Sequence, residues 1–265
     1  MKEFVTLIRS LREISLYMQS ENYVNFDPRI PKQEPKLSRL IIFLIVLIYV
    51  IEIFFNALHS EKAIILLGAK WNEGITNGQY YRFITPVFLH GNLIHLLLNV
   101  FAIKIFAQEL ESVYGSYRFL ITFLLTSWGA TLASYAFSKG LAIGASGFLF
   151  GVIGSLLVFF FRQREKLSGA TMRFKTMYTL ILINLALGFI IPRIDNSAHI
   201  GGLLSGIACG WFISPEYKIE KDEPLERLYV MKKPDLSRVL SGLVLVITIL
   251  FWLTKLAIQK HLNLG

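Results

Sequence analysis

The chain reads as an all-α membrane protein, a polytopic helical bundle, and three observations support that class. Of its 265 residues, 54% are hydrophobic and only 17% are charged, a balance too apolar for a soluble domain of this length. Seven apolar runs punctuate it, at about 39–58, 86–107, 118–137, 145–161, 176–191, 197–213 and 238–258. Each is close to the ~20 residues an α-helix needs to cross ~30 Å of hydrocarbon. The third observation is that Lys and Arg gather in alternate connections between these runs. Such a bias is the usual topogenic signal, so the formal net charge of +9 points to the lipid bilayer and away from a nucleic-acid partner. The single cysteine, Cys209, excludes an internal disulfide and a thiolate metal cluster.

Residues 1–38 form a cytoplasmic leader ahead of the first run. Phe4, Leu7, Ile8 and Leu11 fall at i, i+3, i+4 and i+7, the spacing of a short amphipathic helix. That helix either lies on the membrane surface or is simply a small helix that packs on nothing in particular. The leader lacks a compact apolar region followed by a small-residue cleavage site. It also carries Glu3, Glu13, Glu21, Asp27 and Glu34, so neither a signal peptide nor an organelle transit peptide is expected. Pro28, Pro31 and Pro35 make an extended linker, because each restricts its own backbone and that of the residue before it.

Residues 39–213 contain six spans. Between the first two lies 59–85, rich in Gly, Asn and aromatic residues, which reads as a structured loop partly in the membrane interface. The connection between spans four and five carries Arg162, Arg164, Lys166, Arg173 and Lys175. Residues 214–237 form a cytoplasmic charged loop with Lys218, Lys221, Arg227, Lys232 and Lys233, and 238–265 hold a seventh span and a short tail. With seven spans, the basic segments and the leader share one side. The N-terminus is then cytoplasmic and the C-terminus outside, in a multi-pass protein of the plasma membrane. No internal repeat is evident, which weighs against an inverted-repeat transporter.

In that topology three spans bring polar groups to one outer level. Span four opens with Ser146, span six carries His199 in its first turns, and span two carries His90, His95 and Asn99 in its outer half. Polar side chains are expensive in hydrocarbon, so their convergence marks a site. Gly147, Gly151 and Gly154 stripe span four, and Ala198, Gly202, Gly206 and Gly210 stripe span six. Small-xxx-small stripes let helix backbones touch, which predicts that spans four and six pack together. At ~100° per residue His199 sits about 60° from Gly202 and about 20° from Gly206, on the contact face.

Close packing would put the imidazole within hydrogen-bond reach of the Ser146 hydroxyl. A serine is a poor nucleophile until a positioned base takes its proton, and histidine suits that task near neutral pH. His95 and Asn99, four residues apart on one helix face, and the backbone N–H of Ser146 are candidate donors to a developing oxyanion. His90 reads as structural, ordering the loop before span two. Taken singly, each residue has a plainer reading: a serine bonded to its own helix, or a histidine or asparagine cross-linking helices. Their convergence favours chemistry.

Other chemistries fit less well. An α/β-hydrolase elbow needs a glycine where Phe148 stands and a preceding strand. A zinc site is not expected, since there is no His-Glu-x-x-His pattern and no acid near His90 or His95. Asp195, directly after the break at Pro192, reads as the N-cap of span six rather than a third catalytic member.

These residues resemble the motifs of the rhomboid family of intramembrane serine proteases, over about 40–213. The family's Gly-x-Ser-Gly with trailing glycines is similar to Gly144, Ser146, Gly147, Gly151 and Gly154; its Ala-His-x-x-Gly-x-x-x-Gly is similar to Ala198, His199, Gly202 and Gly206. Its histidine pair and asparagine in span two are similar to His90, His95 and Asn99. The glutamate-containing turn closing that span resembles Glu111 with Gly115 and Ser116. The resemblance implies a six-span rhomboid-like core plus one C-terminal span, with Ser146 as nucleophile, His199 as base, and His95 and Asn99 assisting the oxyanion. It also implies structural support from Arg82 and Glu111, and cleavage of transmembrane protein substrates without a cofactor or metal. Two positions depart from the family pattern: Tyr81-Arg82 stands for its Trp-Arg pair, and Phe150 keeps the ring but loses the hydroxyl of the aromatic four residues after the nucleophile. The expected function is an intramembrane serine endopeptidase. The alternative is a non-proteolytic rhomboid-like protein that binds or escorts membrane clients.

Overall fold

A computed structural model describes residues 33–55, 57–167, 169–191, 194–222, 227–233 and 235–264. The amphipathic helix expected at 4–11, the linker prolines Pro28 and Pro31, and Pro192 lie outside the described residues. The long helices are α1 (Leu37–Phe54), α4 (Leu93–Tyr114), α5 (Ser116–Phe137), α6 (Ser146–Gln163), α7 (Ala170–Ile190) and α9 (Leu236–Leu264). Among the described residues these six are long and apolar enough to cross a membrane. The sixth apolar run forms α8 (Asn196–Phe212), 17 residues whose first turns are polar. At ~1.5 Å per residue it spans roughly 25 Å, slightly less than the hydrocarbon core.

Helices α5, α6 and α8 form the centre. Their contacts are made through small residues, because lipid tails are as apolar as Leu and give helices no hydrophobic reason to associate. A Cβ added at Gly202 would stand 1.9 Å from the Gly147 carbonyl oxygen, and one at Gly206 would stand 2.0 Å from that of Gly151. The Ser155 hydroxyl donates to the Gly206 carbonyl at 2.8 Å lower in the same seam. On the third side, a Cβ at Gly201 would meet the Gly129 carbonyl of α5 at 2.4 Å. Around this centre, apolar residues of α1 and α4 join Phe119, Phe123, Phe148 and Phe159 in one buried cluster.

The segment between α1 and α4 is structured, as expected, by two short helices, α2 (Glu61–Leu66) and α3 (Asn72–Thr76), and by single 3-10 turns at Tyr80–Phe83 and Thr85–Phe88. The second span starts later than its apolar run. Pro86 sits in a 3-10 turn, and the helix opens at Leu93 with Asn92 as N-cap, its side-chain oxygen accepting from the His95 N–H at 2.8 Å. His90 therefore stands above the helix. The region after α8, expected only as a charged loop, pairs β1 (Glu216–Asp222) with β2 (Arg227–Lys233) in an antiparallel hairpin. The C-terminal helix α9 is tied at its start and along its length. Asp235, at its start, takes an ion pair from Arg118 of α5, and farther along the Trp128 indole N–H donates to the Thr254 hydroxyl at 3.1 Å.

Candidate active site

Ser146 is the first residue of α6, where backbone N–H groups have no intrahelical acceptor. The turn that delivers it needs glycine at position 144. The backbone there has φ +114, and a Cβ would stand 2.5 Å from the His95 ring. The Gly144 N–H donates to the Pro86 carbonyl at 2.8 Å, which fixes the turn against the loop before α4.

His199 lies in the first turn of α8, whose start is capped by Asp195: one carboxylate oxygen accepts from the Ala198 N–H at 3.2 Å, and the other takes the Ser134 hydroxyl. The glycine seam below brings α8 against α6. As a result His199 Nε2 and Ser146 Oγ are 3.0 Å apart, a hydrogen bond in either tautomer. The imidazole is buried and stacks on Phe150, with ring centroids 4.2 Å apart and planes 18° from parallel. Its other nitrogen, Nδ1, has no hydrogen-bond partner among the described residues. Asp195 thus acts on the helix end and the Ser134 hydroxyl, with no hydrogen bond to the imidazole.

The remaining predicted residues fall into two groups. His95 lies against the Gly144 backbone, two residues before Ser146, and its ring meets that of His90 edge-to-face at 5.0 Å. Asn99 is buried one turn further along α4, and its amide donates to the His95 carbonyl at 2.9 Å. The two lie one turn apart on one face of α4, and His95 meets the turn that precedes Ser146. His90, Arg82 and Glu111 instead hold parts of the frame. The His90 N–H donates to the buried Glu52 carboxylate of α1 at 2.9 Å. Arg82 is buried; its Nη1 donates to the carbonyls of Ile65 and Ala69, each at 2.7 Å, and its guanidinium lies over the Tyr81 ring.

Glu111 is fully buried at the start of α1. It accepts from the N–H groups of Leu37 and Ser38 at 2.9 and 2.7 Å, the Ser38 hydroxyl at 2.6 Å and the Ser116 hydroxyl at 2.8 Å. A carboxylate there answers both the orphan donors and the positive end of that helix. Gly147, Gly151, Gly202 and Gly206 lie in the α6–α8 seam, the first two also touching Ala130 and Thr126 of α5.

Two polar residues near the site were not singled out from the sequence as parts of it. Glu52 is an acid inside the first apolar run, and its partner is a backbone N–H 38 residues away that local spacing does not reveal. Lys70 is fully buried in a loop whose sequence has no periodicity to place it.

Comparison with known proteins matches the Rhomboid domain to residues 77–216. Rhomboid protease GluP of Bacillus subtilis (strain 168) is 34% identical over 201 residues, 74% of this chain and 38% of its own length. The mitochondrial RHOMBOID-like protein 6 of Arabidopsis thaliana is 33% identical over 156 residues, 58% of this chain and 50% of its own. Rhomboid-like protease 3 of Toxoplasma gondii is 33% identical over 159 residues, 59% of this chain and 60% of its own. The chain thus spans between 38% and 60% of the length of these relatives.

Proposed function

The chain belongs to the rhomboid family, and on that premise we propose that it is an intramembrane serine endopeptidase acting on transmembrane segments of other membrane proteins. The observation that carries this reading is the 3.0 Å contact between Ser146 Oγ and His199 Nε2, made between two helices whose glycines let them touch. His199 Nε2 takes the hydroxyl proton as Ser146 Oγ attacks the scissile carbonyl. The tetrahedral oxyanion is met by the Ser146 N–H and by donors from His95 and Asn99. Collapse of that intermediate breaks the C–N bond, with the imidazolium protonating the leaving amine. Water, deprotonated by the same imidazole, then hydrolyses the acyl-enzyme. Stacking on Phe150 supports a fixed imidazole orientation without a third catalytic member, so the pair works as a dyad.

The same proposal places 39–213 as the catalytic core, 1–38 and 214–237 in the cytoplasm, and the active site opening to the outside of the plasma membrane. Lys and Arg placement supports that orientation. Substrate helices enter sideways from lipid and unwind near the cut, because an intact helix hides its carbonyls. Small or helix-breaking residues around the scissile bond are therefore favoured.

The test is cleavage of a reporter transmembrane substrate by the purified protein in detergent and in proteoliposomes. Wild type cleaves it, and Ser146→Ala and His199→Ala do not. Equal cleavage by either variant would remove the proposal. Uncleaved but stably bound substrate in wild type would favour the escort function instead.

A further inference from the structure

The eight residues between α5 and α6, Ser138 to Ala145, have to deliver Ser146 without a helix of their own. They are held by contacts from the opposite loop. Lys70, fully buried, donates from its ammonium to the carbonyls of Ser138 at 2.7 Å and Gly140 at 2.9 Å. Its backbone pairs with Ala142 in both directions, at 3.0 and 3.3 Å. The Asn72 amide adds a second bond to the Ser138 carbonyl at 3.1 Å, and beyond Ala142 the Gly144 N–H reaches Pro86.

Burying an ammonium is unfavourable, and an apolar side chain of similar length would avoid the cost. Desolvation here pushes the lysine down from 10.5 to about 8, opposed by the charge of Asp195. What offsets that cost is the acceptor set. Ser138 is the C-cap of α5, where carbonyls lack intrahelical partners and the helix dipole is negative. Four residues after Ala142 comes Ser146, and Gly144 in between rests on the His95 ring. A shift of this strap moves the hydroxyl, its N–H and the neighbouring oxyanion donors relative to one another.

We propose that Lys70 is a positioning residue for the nucleophile, its ammonium clamping Ser138–Gly144 so that Ser146 meets His199 and His95 in reacting geometry. This rests on the serine-protease reading above. Lys70 touches no reacting atom in this account; it acts through the strap.

The experiment uses the full chain in detergent, with Lys70→Met, which keeps length and loses the donors, and Asn72→Ala, which loses one tie and leaves the ammonium. A misplacement of ~1 Å costs on the order of a hundredfold in rate. For Lys70→Met we therefore expect kcat on the reporter substrate to fall about ten- to a hundredfold, with KM held within about twofold. Labelling of Ser146 by a fluorophosphonate should slow by the same factor, and Asn72→Ala should lose about two- to fivefold. Hydrogen exchange should quicken in 138–145 and not in α5 or α6. Unchanged kcat in Lys70→Met overturns the proposal whatever Asn72→Ala does, as does a kcat loss that only tracks the fraction of unfolded protein. If wild type neither labels nor cleaves, the protease reading fails on its own. Exchange then reads the strap alone: quickened exchange in 138–145 keeps the ammonium as its tie with no nucleophile left to position, and unchanged exchange removes the tie as well.

Discussion

Helices α6 and α7 follow one another in the chain, and hydropathy barely distinguishes them. Their surroundings differ sharply: 78% of the α6 span is buried inside the protein and only 11% of the α7 span. The α6 helix meets α8 through backbone, so close that a Cβ added at Gly206 would strike the Gly151 carbonyl. The α7 helix presents Leu182, Ile183, Phe189 and Ile190 outward, all at least half exposed. Hydropathy therefore reports which segments enter the membrane, whereas the spacing of small residues reports which of them touch. The candidate site sits where the second signal is strongest.

Matched substitutions in the two helices test this difference. Gly206→Ala places a methyl 2.0 Å from the Gly151 carbonyl, a backbone atom that cannot rotate away. Overpacking of this kind costs ~1–3 kcal/mol. We expect a thermal midpoint lower by roughly 5–10 °C and little remaining Ser146 labelling; an unaltered midpoint would mean that the seam is looser than described. Next is a ring pair. Phe150→Ala removes the surface on which the imidazole stacks and should lower kcat about ten- to a hundredfold. Phe189→Ala on α7, 78% exposed, should leave kcat within about twofold in the same assay.

A second glycine gives a smaller effect. Gly188→Ala on α7 also crowds a neighbour, but that neighbour is the Asn196 side-chain amide, which can turn aside. The intrinsic helix gain of ~1 kcal/mol for alanine over glycine works in the opposite direction. The melting midpoint should move by no more than about 3 °C. A loss as large as that for Gly206→Ala would erase the distinction between the two helices. Smallest is Leu182→Ala, which faces lipid and should change the midpoint by less than about 2 °C.

Much of the fold was legible in the sequence for the same physical reason. Apolar runs placed the long helices to within a few residues at most ends, and the four-residue glycine periodicity identified the α6–α8 contact. Where turn chemistry competed with hydropathy, the apolar run misled. Pro86 and the capping Asn92 delay the second span to Leu93, leaving His90 in the loop above it. The hairpin at Glu216–Lys233 was hidden by its charge, although Tyr217 and Ile219 alternate with polar neighbours as strand residues do.

The contact between Ser146 and His199 was legible because both lie beside periodic stripes. The polar ties made by Glu52, Lys70 and Glu111 were not. Each joins a single side chain to backbone groups tens of residues away, and nothing in local spacing encodes that pairing.

On the proposed function, Ser146 is a nucleophile because His199 is its base. The most direct measurement is mass spectrometry of the full chain after exposure to a fluorophosphonate, locating the adduct and timing its formation. The expected result is an adduct on Ser146 in wild type and its loss in His199→Ala, with the variant's melting midpoint unchanged. An adduct that forms on Ser146 equally fast in His199→Ala, or on another serine in wild type, would contradict it.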